Sequence, residues 1–71
     1  MILVTFMLDV GNEVTSWTVQ IKASTTDVEF LHKLRKVTYD LVTQGSTILR
    51  IEVNDKGTQT FTTVAEVLAD L

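Results

Sequence analysis

The chain has 71 residues, a formal net charge of −3, and neither cysteine nor proline. That length suits one domain over residues 1–71, near the lower limit of what a single core can support. The acidic balance argues against nucleic acid as a partner, because phosphate backbones need a basic face. The lack of cysteine excludes disulfides and cysteine-ligated metals, and no apolar run reaches the roughly 18 residues of a membrane span.

Residues 2–10 and 13–22 are predicted to form the first two strands. Both faces of the first strand are largely apolar, which is typical of an interior strand. The segment also lacks the basic start and cleavage site of a signal peptide. Gly11-Asn12 supplies a two-residue turn, in which a leading glycine favours type II′. The second strand alternates between an apolar and a polar face. The side chains predicted to point inward are Thr15, Trp17, Val19 and Ile21. Trp17 is therefore predicted to pack in the core.

Residues 26–44 have the longest helical periodicity in the chain and are predicted to form a crossover helix. Thr26 and Glu29 make a capping box at its start, and Gly45 can adopt the left-handed conformation at its end. Its apolar side chains occupy an arc of roughly 140°. The arc contains Phe30, Leu31, Leu34, Val37, Thr38, Leu41 and Val42. This face is predicted to cover the sheet.

Residues 47–54 and 58–62 are predicted to be strands three and four, with turn chemistry over residues 54–57. Simple alternation divides strand three into two faces. The side chains predicted to face the core are Leu49, Ile51 and Val53. The side chains predicted to face outward are Ile48, Arg50, Glu52 and Asn54. The fourth strand is short and rich in threonine, which is typical of an edge.

A short closing helix is predicted over residues 64–70. Thr63 and Glu66 form a second capping box, and the apolar side chains follow helical spacing. These side chains are Val64, Val67, Leu68 and Leu71. The helix is too short to be stable alone, so it must be held by packing.

The predicted fold class is α+β, a two-layer ββαββα arrangement of hairpin, long helix, hairpin and short helix. Its four-stranded sheet should be mostly antiparallel, with strand one central and strand two at an edge. If strand four joins strand one in parallel, the order is 2-1-4-3. If strand three joins it antiparallel, the order is 2-1-3-4, which the length and apolar content of strand three favour. Both helices are expected on one face.

The other face of the sheet is predicted to be partly open to water. Its polar side chains should include Thr5, Ser16, Thr18, Arg50, Glu52 and Thr58 or its neighbours. It should also carry an apolar spot made by Leu3, Met7 and Ile48. Such a spot could seat a second copy in a homodimer, or it could be no more than scattered surface apolar residues.

No catalytic, cofactor-binding or metal-ligating residue is predicted. His32 is the only histidine, and its possible partners Glu29 and Arg35 are merely helical neighbours, so it is predicted to be exposed. Residues 54–57 resemble a calcium loop in composition but lack its spaced acidic ligands. The acidic residues predicted to serve only turns and surface are Asp9, Asp40, Glu52 and Asp55.

The sequence resembles two known groups of proteins, and each resemblance implies an expectation about function. The stretches Thr25-Thr26-Asp27, Gln44-Gly45-Ser46 and residues 49–53 resemble the helix-to-strand units of computationally designed α/β mini-proteins. The order hairpin–helix–hairpin, with residues 55–62 as the last hairpin, looks like the β-grasp of bacterial immunoglobulin-binding domains. That second resemblance implies antibody contact through the helix. The exposed contact candidates it implies are Glu29, Lys33 and Lys36.

The expected function follows from two observations: the local signals agree throughout the chain, and no functional site is predicted. Every helix cap and turn agrees with its neighbours, as in sequences written to fold. The chain is therefore predicted to be a designed, artificial domain without enzymatic activity, cofactor or required partner. The alternative is a small natural protein-binding module, phage or bacterial, that acts through the open sheet face or an edge strand. The composition is compatible with the cytoplasm but predicts no compartment.

Overall fold

A computed structural model describes residues 1–69 and confirms the predicted α+β fold. The strands are β1 (Ile2–Val10), β2 (Glu13–Ile21), β3 (Thr47–Asp55) and β4 (Thr58–Thr62). The helices are α1 (Asp27–Thr43) and α2 (Val64–Val67). The sheet order is β2-β1-β3-β4 with every pair antiparallel, so the favoured order 2-1-3-4 is confirmed.

The core lies between one face of the sheet and the two helices. β1 is central, and its even-numbered side chains Val4, Phe6 and Leu8 are buried. The buried apolar residues are Val4, Phe6, Leu8, Ile21, Leu34, Leu41, Ile51 and Val67. Because alternate residues of a strand point to opposite faces, this pattern leaves the odd-numbered side chains of β1 on the other face of the sheet.

Helix α1 begins and ends as its sequence predicts. The hydroxyl of Thr26 accepts a hydrogen bond from the backbone N–H of Glu29 at 3.2 Å. At the other end, Gly45 has φ +90°. Its N–H donates to the carbonyl of Val42, and that of Ser46 donates to the carbonyl of Leu41. This bonding pattern is a Schellman motif, which satisfies the last carbonyls of the helix.

The helix crosses the sheet obliquely. Phe30 in its first half lies near Val53 and Thr60, whereas Leu41 in its second half lies near Trp17. Of the predicted apolar arc, Val42 is 49% exposed, so its assignment to the buried face is wrong. Val42 is the outermost member of that arc, about 80° from Leu34 at 100° per residue.

Helix α2 packs against α1 and β3. Val67 is buried, and its carbonyl accepts a hydrogen bond from Nε of Arg35 at 2.9 Å. The second capping interaction is present, because the hydroxyl of Thr63 accepts from the N–H of Glu66 at 3.2 Å. The helix is one turn long, shorter than predicted. The predicted end at residue 70 and the side chain of Leu71 lie outside the described residues.

The first hairpin turn has a different type from the one predicted. Gly11 has φ +58° and Asn12 has φ +71°, and two positive values define type I′ rather than type II′. The second turn repeats this geometry, with φ +52° at Lys56 and +85° at Gly57. Type I′ is favoured because its twist matches that of the flanking strands, and asparagine tolerates the left-handed conformation that it requires.

A β-bulge in β3 overturns the predicted faces of its first half. Met7 pairs with Arg50, but the next residue, Leu8, pairs with Ile48. Leu49 is therefore an extra residue without a partner in β1, and the alternation shifts by one position there. Ile48 packs against the core, while Leu49 is 53% exposed. The inward prediction for Leu49 and the outward prediction for Ile48 are both wrong, whereas Ile51 is buried as predicted.

Candidate interaction surface

The sheet face opposite the helices is uncovered by any other part of residues 1–69; it is called the open face below. Pairing and alternation place side chains from all four strands on it. Its apolar members are Leu3, Met7, Val14, Leu49 and Phe61, called the apolar patch below. Leu49, Phe61 and Val14 are 53%, 59% and 65% exposed. Large apolar side chains grouped on an uncovered face are typical of an interaction surface.

The centre of the apolar patch is a shallow depression of about 350 Å³. Met7, Val14 and Leu49 line it together with Arg50. The bulge creates this grouping, because a regular β3 would have directed Leu49 into the core and Ile48 outward. Local register therefore decides the composition of the open face.

Polar side chains on the open face contact one another and the apolar patch. One guanidinium nitrogen of Arg50 lies 3.0 Å from a carboxylate oxygen of Glu52. The same guanidinium lies over the ring of Phe61, 5.3 Å from its centroid, which is cation–π geometry. The hydroxyls of Thr5 and Thr18 are 3.1 Å apart across β1 and β2. The ion pair and the ring contact hold Arg50 beside apolar side chains, and arginine is enriched among the residues that carry most of the binding energy at protein interfaces.

Part of this surface was predicted correctly from the sequence. Leu3 and Met7 lie on the open face as predicted, but Leu49 takes the place predicted for Ile48. Val14 and Phe61 were missed. A usable signal existed for Phe61, because a two-residue turn after Asp55 pairs residue 55 with 58 and therefore 52 with 61. Glu52 was predicted to face outward, so its cross-strand partner had to do the same.

Trp17 lies on the helix side of the sheet but outside the core. It pairs with Phe6, as the predicted alternation requires, yet it is 56% exposed. The prediction that it packs in the core is wrong, because β2 is an edge strand and nothing in the described chain covers its outer side. The ring borders a groove of about 410 Å³ beside Val37 and Leu41 of α1.

The structure assembles no catalytic constellation from the residues considered above. His32 is exposed on α1. Within residues 1–69, no group of three or more histidine, aspartate or glutamate side chains could hold a metal ion. A depression of about 520 Å³ lies between the start of α1 and the β3–β4 turn. Its charged members, Asp27, Asp55 and Lys56, are exposed. The contact candidates Glu29, Lys33 and Lys36 are also exposed, and their antibody-binding role stays a prediction.

One buried polar group stands apart from these surfaces. Thr38 of α1 is completely buried, and its hydroxyl has no hydrogen-bond partner among the residues that the structure describes. The sequence placed Thr38 on the apolar arc, which is confirmed. A buried hydroxyl without a partner lowers stability, because it has lost its bonds to water.

Thr38→Val should therefore raise the free energy of unfolding by about 1–2 kcal/mol, because valine keeps the shape and removes the unpaired hydroxyl. Urea denaturation followed by circular dichroism measures the change. Thr43→Val, at an exposed position of the same helix, is the matched control and should change stability by less than about 0.5 kcal/mol. A loss of stability in Thr38→Val would show that the hydroxyl is bonded in solution.

Comparison of the chain with models of protein families, with curated proteins and with solved structures found no match. Among the described residues, neither helix has the length and apolar content required to cross a bilayer.

Proposed function

We propose that this domain is a non-enzymatic protein-binding module and that the open face is its contact surface. The observation that carries the proposal is the apolar patch, to which every strand of the sheet contributes. Leu49 and Phe61 are both more than half exposed, and they flank Arg50, the residue that pairs with Glu52 and lies over the Phe61 ring. Such a surface suits an apolar protein partner.

The physical basis of the proposal is the apolar surface of the open face, which a partner could bury. Fully burying a leucine or phenylalanine side chain contributes about 1.5–3 kcal/mol, and exposed groups of apolar side chains commonly mark protein interaction sites. The aliphatic part of Arg50 extends that surface, while its charge is offset by Glu52. A second copy stacked face to face would meet the same requirement, and such a homodimer is one of the two alternatives that the sequence left open.

Leu49→Lys tests the proposal, because it places a charge in the centre of the apolar patch. Val28→Lys is the matched control: Val28 is 80% exposed on α1, and the substitution adds the same charge away from the open face. We expect the wild-type domain and Val28→Lys to retain one partner from a cell extract and Leu49→Lys to lose it. The purified partner should then bind Leu49→Lys at least about tenfold more weakly, equivalent to about 1.4 kcal/mol.

The proposal fails if no protein binds the wild-type domain more tightly than Leu49→Lys does. It also fails if Val28→Lys weakens binding as much as Leu49→Lys, because the contact would then not involve the open face. Folding of both variants is checked by their circular dichroism spectra and melting temperatures.

The second candidate is an artificial domain that was designed to fold and has no biochemical activity. The observation that favours it is the agreement of local chemistry with geometry: threonine caps on both helices and a glycine in each two-residue turn. Designed chains are written in this way. The unpartnered Thr38 and the exposed apolar patch count against it. The same binding experiment discriminates the two, because a chain made only to fold should retain no partner.

A further inference from the structure

The outer edge of β2 is unprotected. β2 pairs with β1 through nine uninterrupted residue pairs, from Ile2–Ile21 to Val10–Glu13, and no other element within residues 1–69 pairs with it. From Val14 to Ile21 the strand carries no charged residue, and the chain contains no proline. Natural edge strands usually carry a lysine, a proline or a bulge that prevents another strand from pairing. None of these devices interrupts β2.

The register identifies the backbone groups that are left without a strand partner. In a hairpin closed by a two-residue turn, the residues flanking the turn, Val10 and Glu13, exchange both hydrogen bonds. Hydrogen-bonded pairs then alternate along an antiparallel ladder. The odd-numbered residues of β2 therefore direct their N–H and C=O groups toward β1. The residues that direct these groups toward the free edge are Val14, Ser16, Thr18 and Gln20.

We infer that a second copy of this chain pairs with β2 along this edge, antiparallel, with the two-fold axis at Trp17. Trp17 is the middle residue of Glu13–Ile21, so this register uses the full length of both strands. It pairs Ser16 with Thr18 of the other copy and Val14 with Gln20. All of these residues present their backbone groups at the edge, so each pair can exchange two hydrogen bonds. The two sheets become one continuous sheet.

The side chains agree with the symmetric register. Antiparallel pairing keeps the two Glu13 residues at opposite ends of the joint, whereas in-register parallel pairing would place their like charges side by side. The two Trp17 side chains meet at the axis as a non-hydrogen-bonded pair, the closer kind of cross-strand pair. They lie on the helix side, beside the groove lined by Val37 and Leu41. The half-exposed indole thereby acquires a partner.

The joint is a single strand pair with one central aromatic contact. We therefore expect a dimer that dissociates on dilution. This inference does not rest on the proposed function, because it concerns the backbone edge of β2, and only Val14 of the apolar patch lies on that strand. Leu49→Lys should leave the dimer intact.

Two double variants test the register. Ser16→Lys with Thr18→Lys places like charges opposite each other across the axis and should abolish the dimer. Ser16→Lys with Thr18→Glu changes the same two exposed positions but pairs each lysine with a glutamate of the other copy, so the dimer should persist. Both variants lose the same hydroxyl contact between Thr18 and Thr5, so they are matched. Sedimentation equilibrium measures the weight-average mass, which should rise from 7.9 kDa toward twice that value for wild type.

The single tryptophan supplies a second measurement on the unmodified chain. Trp17 emission should shift to shorter wavelength, and its quenching by acrylamide should decrease, over the concentration range in which the mass doubles. The inference is overturned if the wild-type chain stays monomeric at millimolar concentration or if the emission does not follow the mass. It is also overturned if the lysine–lysine variant dimerises as wild type does, or if the lysine–glutamate variant fails to dimerise.

Discussion

Leu34→Ala is expected to lower the free energy of unfolding by about 2–5 kcal/mol. Domains of this kind are stabilised by about 5–15 kcal/mol in total, and small ones lie at the lower end. Leu34 is 5% exposed, and the space that it borders together with Val4 and Phe6 of β1 measures about 10 Å³. Such tight packing leaves little room for neighbours to relax, so the truncated side chain leaves a cavity.

Val28→Ala is the control for this substitution, because Val28 lies on the same helix and is 80% exposed. Its effect should stay within about 0.5 kcal/mol of zero. Urea titration of both variants gives the two free energies from the transition midpoints. A Leu34→Ala variant that unfolds at the wild-type urea concentration would show that the buried face of α1 is assigned incorrectly.

Ile48→Ala and Leu49→Ala, at adjacent residues of β3, should differ clearly in their effect on the free energy of unfolding. Ile48 packs against the core opposite Leu8, so its truncation should cost about 2–3 kcal/mol, the lower part of the range for buried isoleucine. Leu49 is 53% exposed, so its truncation should change stability by less than about 0.5 kcal/mol. Both variants lose an aliphatic side chain from β3, and each is the control for the other.

A regular strand makes the opposite prediction for this pair. Without the bulge, Leu49 would share the core face with Ile51 and Val53, and Leu49→Ala would be the damaging substitution. Chemical denaturation of the two variants under identical conditions therefore decides which residue lies inside. Equal losses from both would contradict either arrangement.

Much of the fold could be predicted because its determinants are local. The helix α1 has caps within a few residues of each end, and its arc of apolar side chains identifies Leu34, Thr38 and Leu41 as buried. Both hairpins follow from alternation and two-residue turns. The order of the strands was also accessible, because the longer, more apolar β3 gains more from a central position than the short β4 does.

The remaining features depend on how the strands and helices pack against one another. The alternation of apolar and polar residues along a strand does not encode that packing. A bulge needs only one extra residue, and the adjacent apolar residues Ile48 and Leu49 fit either phase of the strand. The exposure of Trp17 depends on where the oblique helix α1 ends over β2. The face taken by Phe61 required the register of the last hairpin. The bulge and the register of the last hairpin explain why Leu49 and Phe61, and not Ile48, belong to the observed apolar patch.

The central claim is that the bulge in β3 directs Leu49 to the open face and Ile48 to the core. Nuclear Overhauser contacts of the two methyl-bearing side chains measure this most directly. The structure predicts contacts from the Leu49 methyl groups to Met7 and Val14, and from the Ile48 methyl groups to Leu8. Contacts from Leu49 to Leu41 or Val67 in the core would contradict the account, because they require a regular strand and remove Leu49 from the apolar patch.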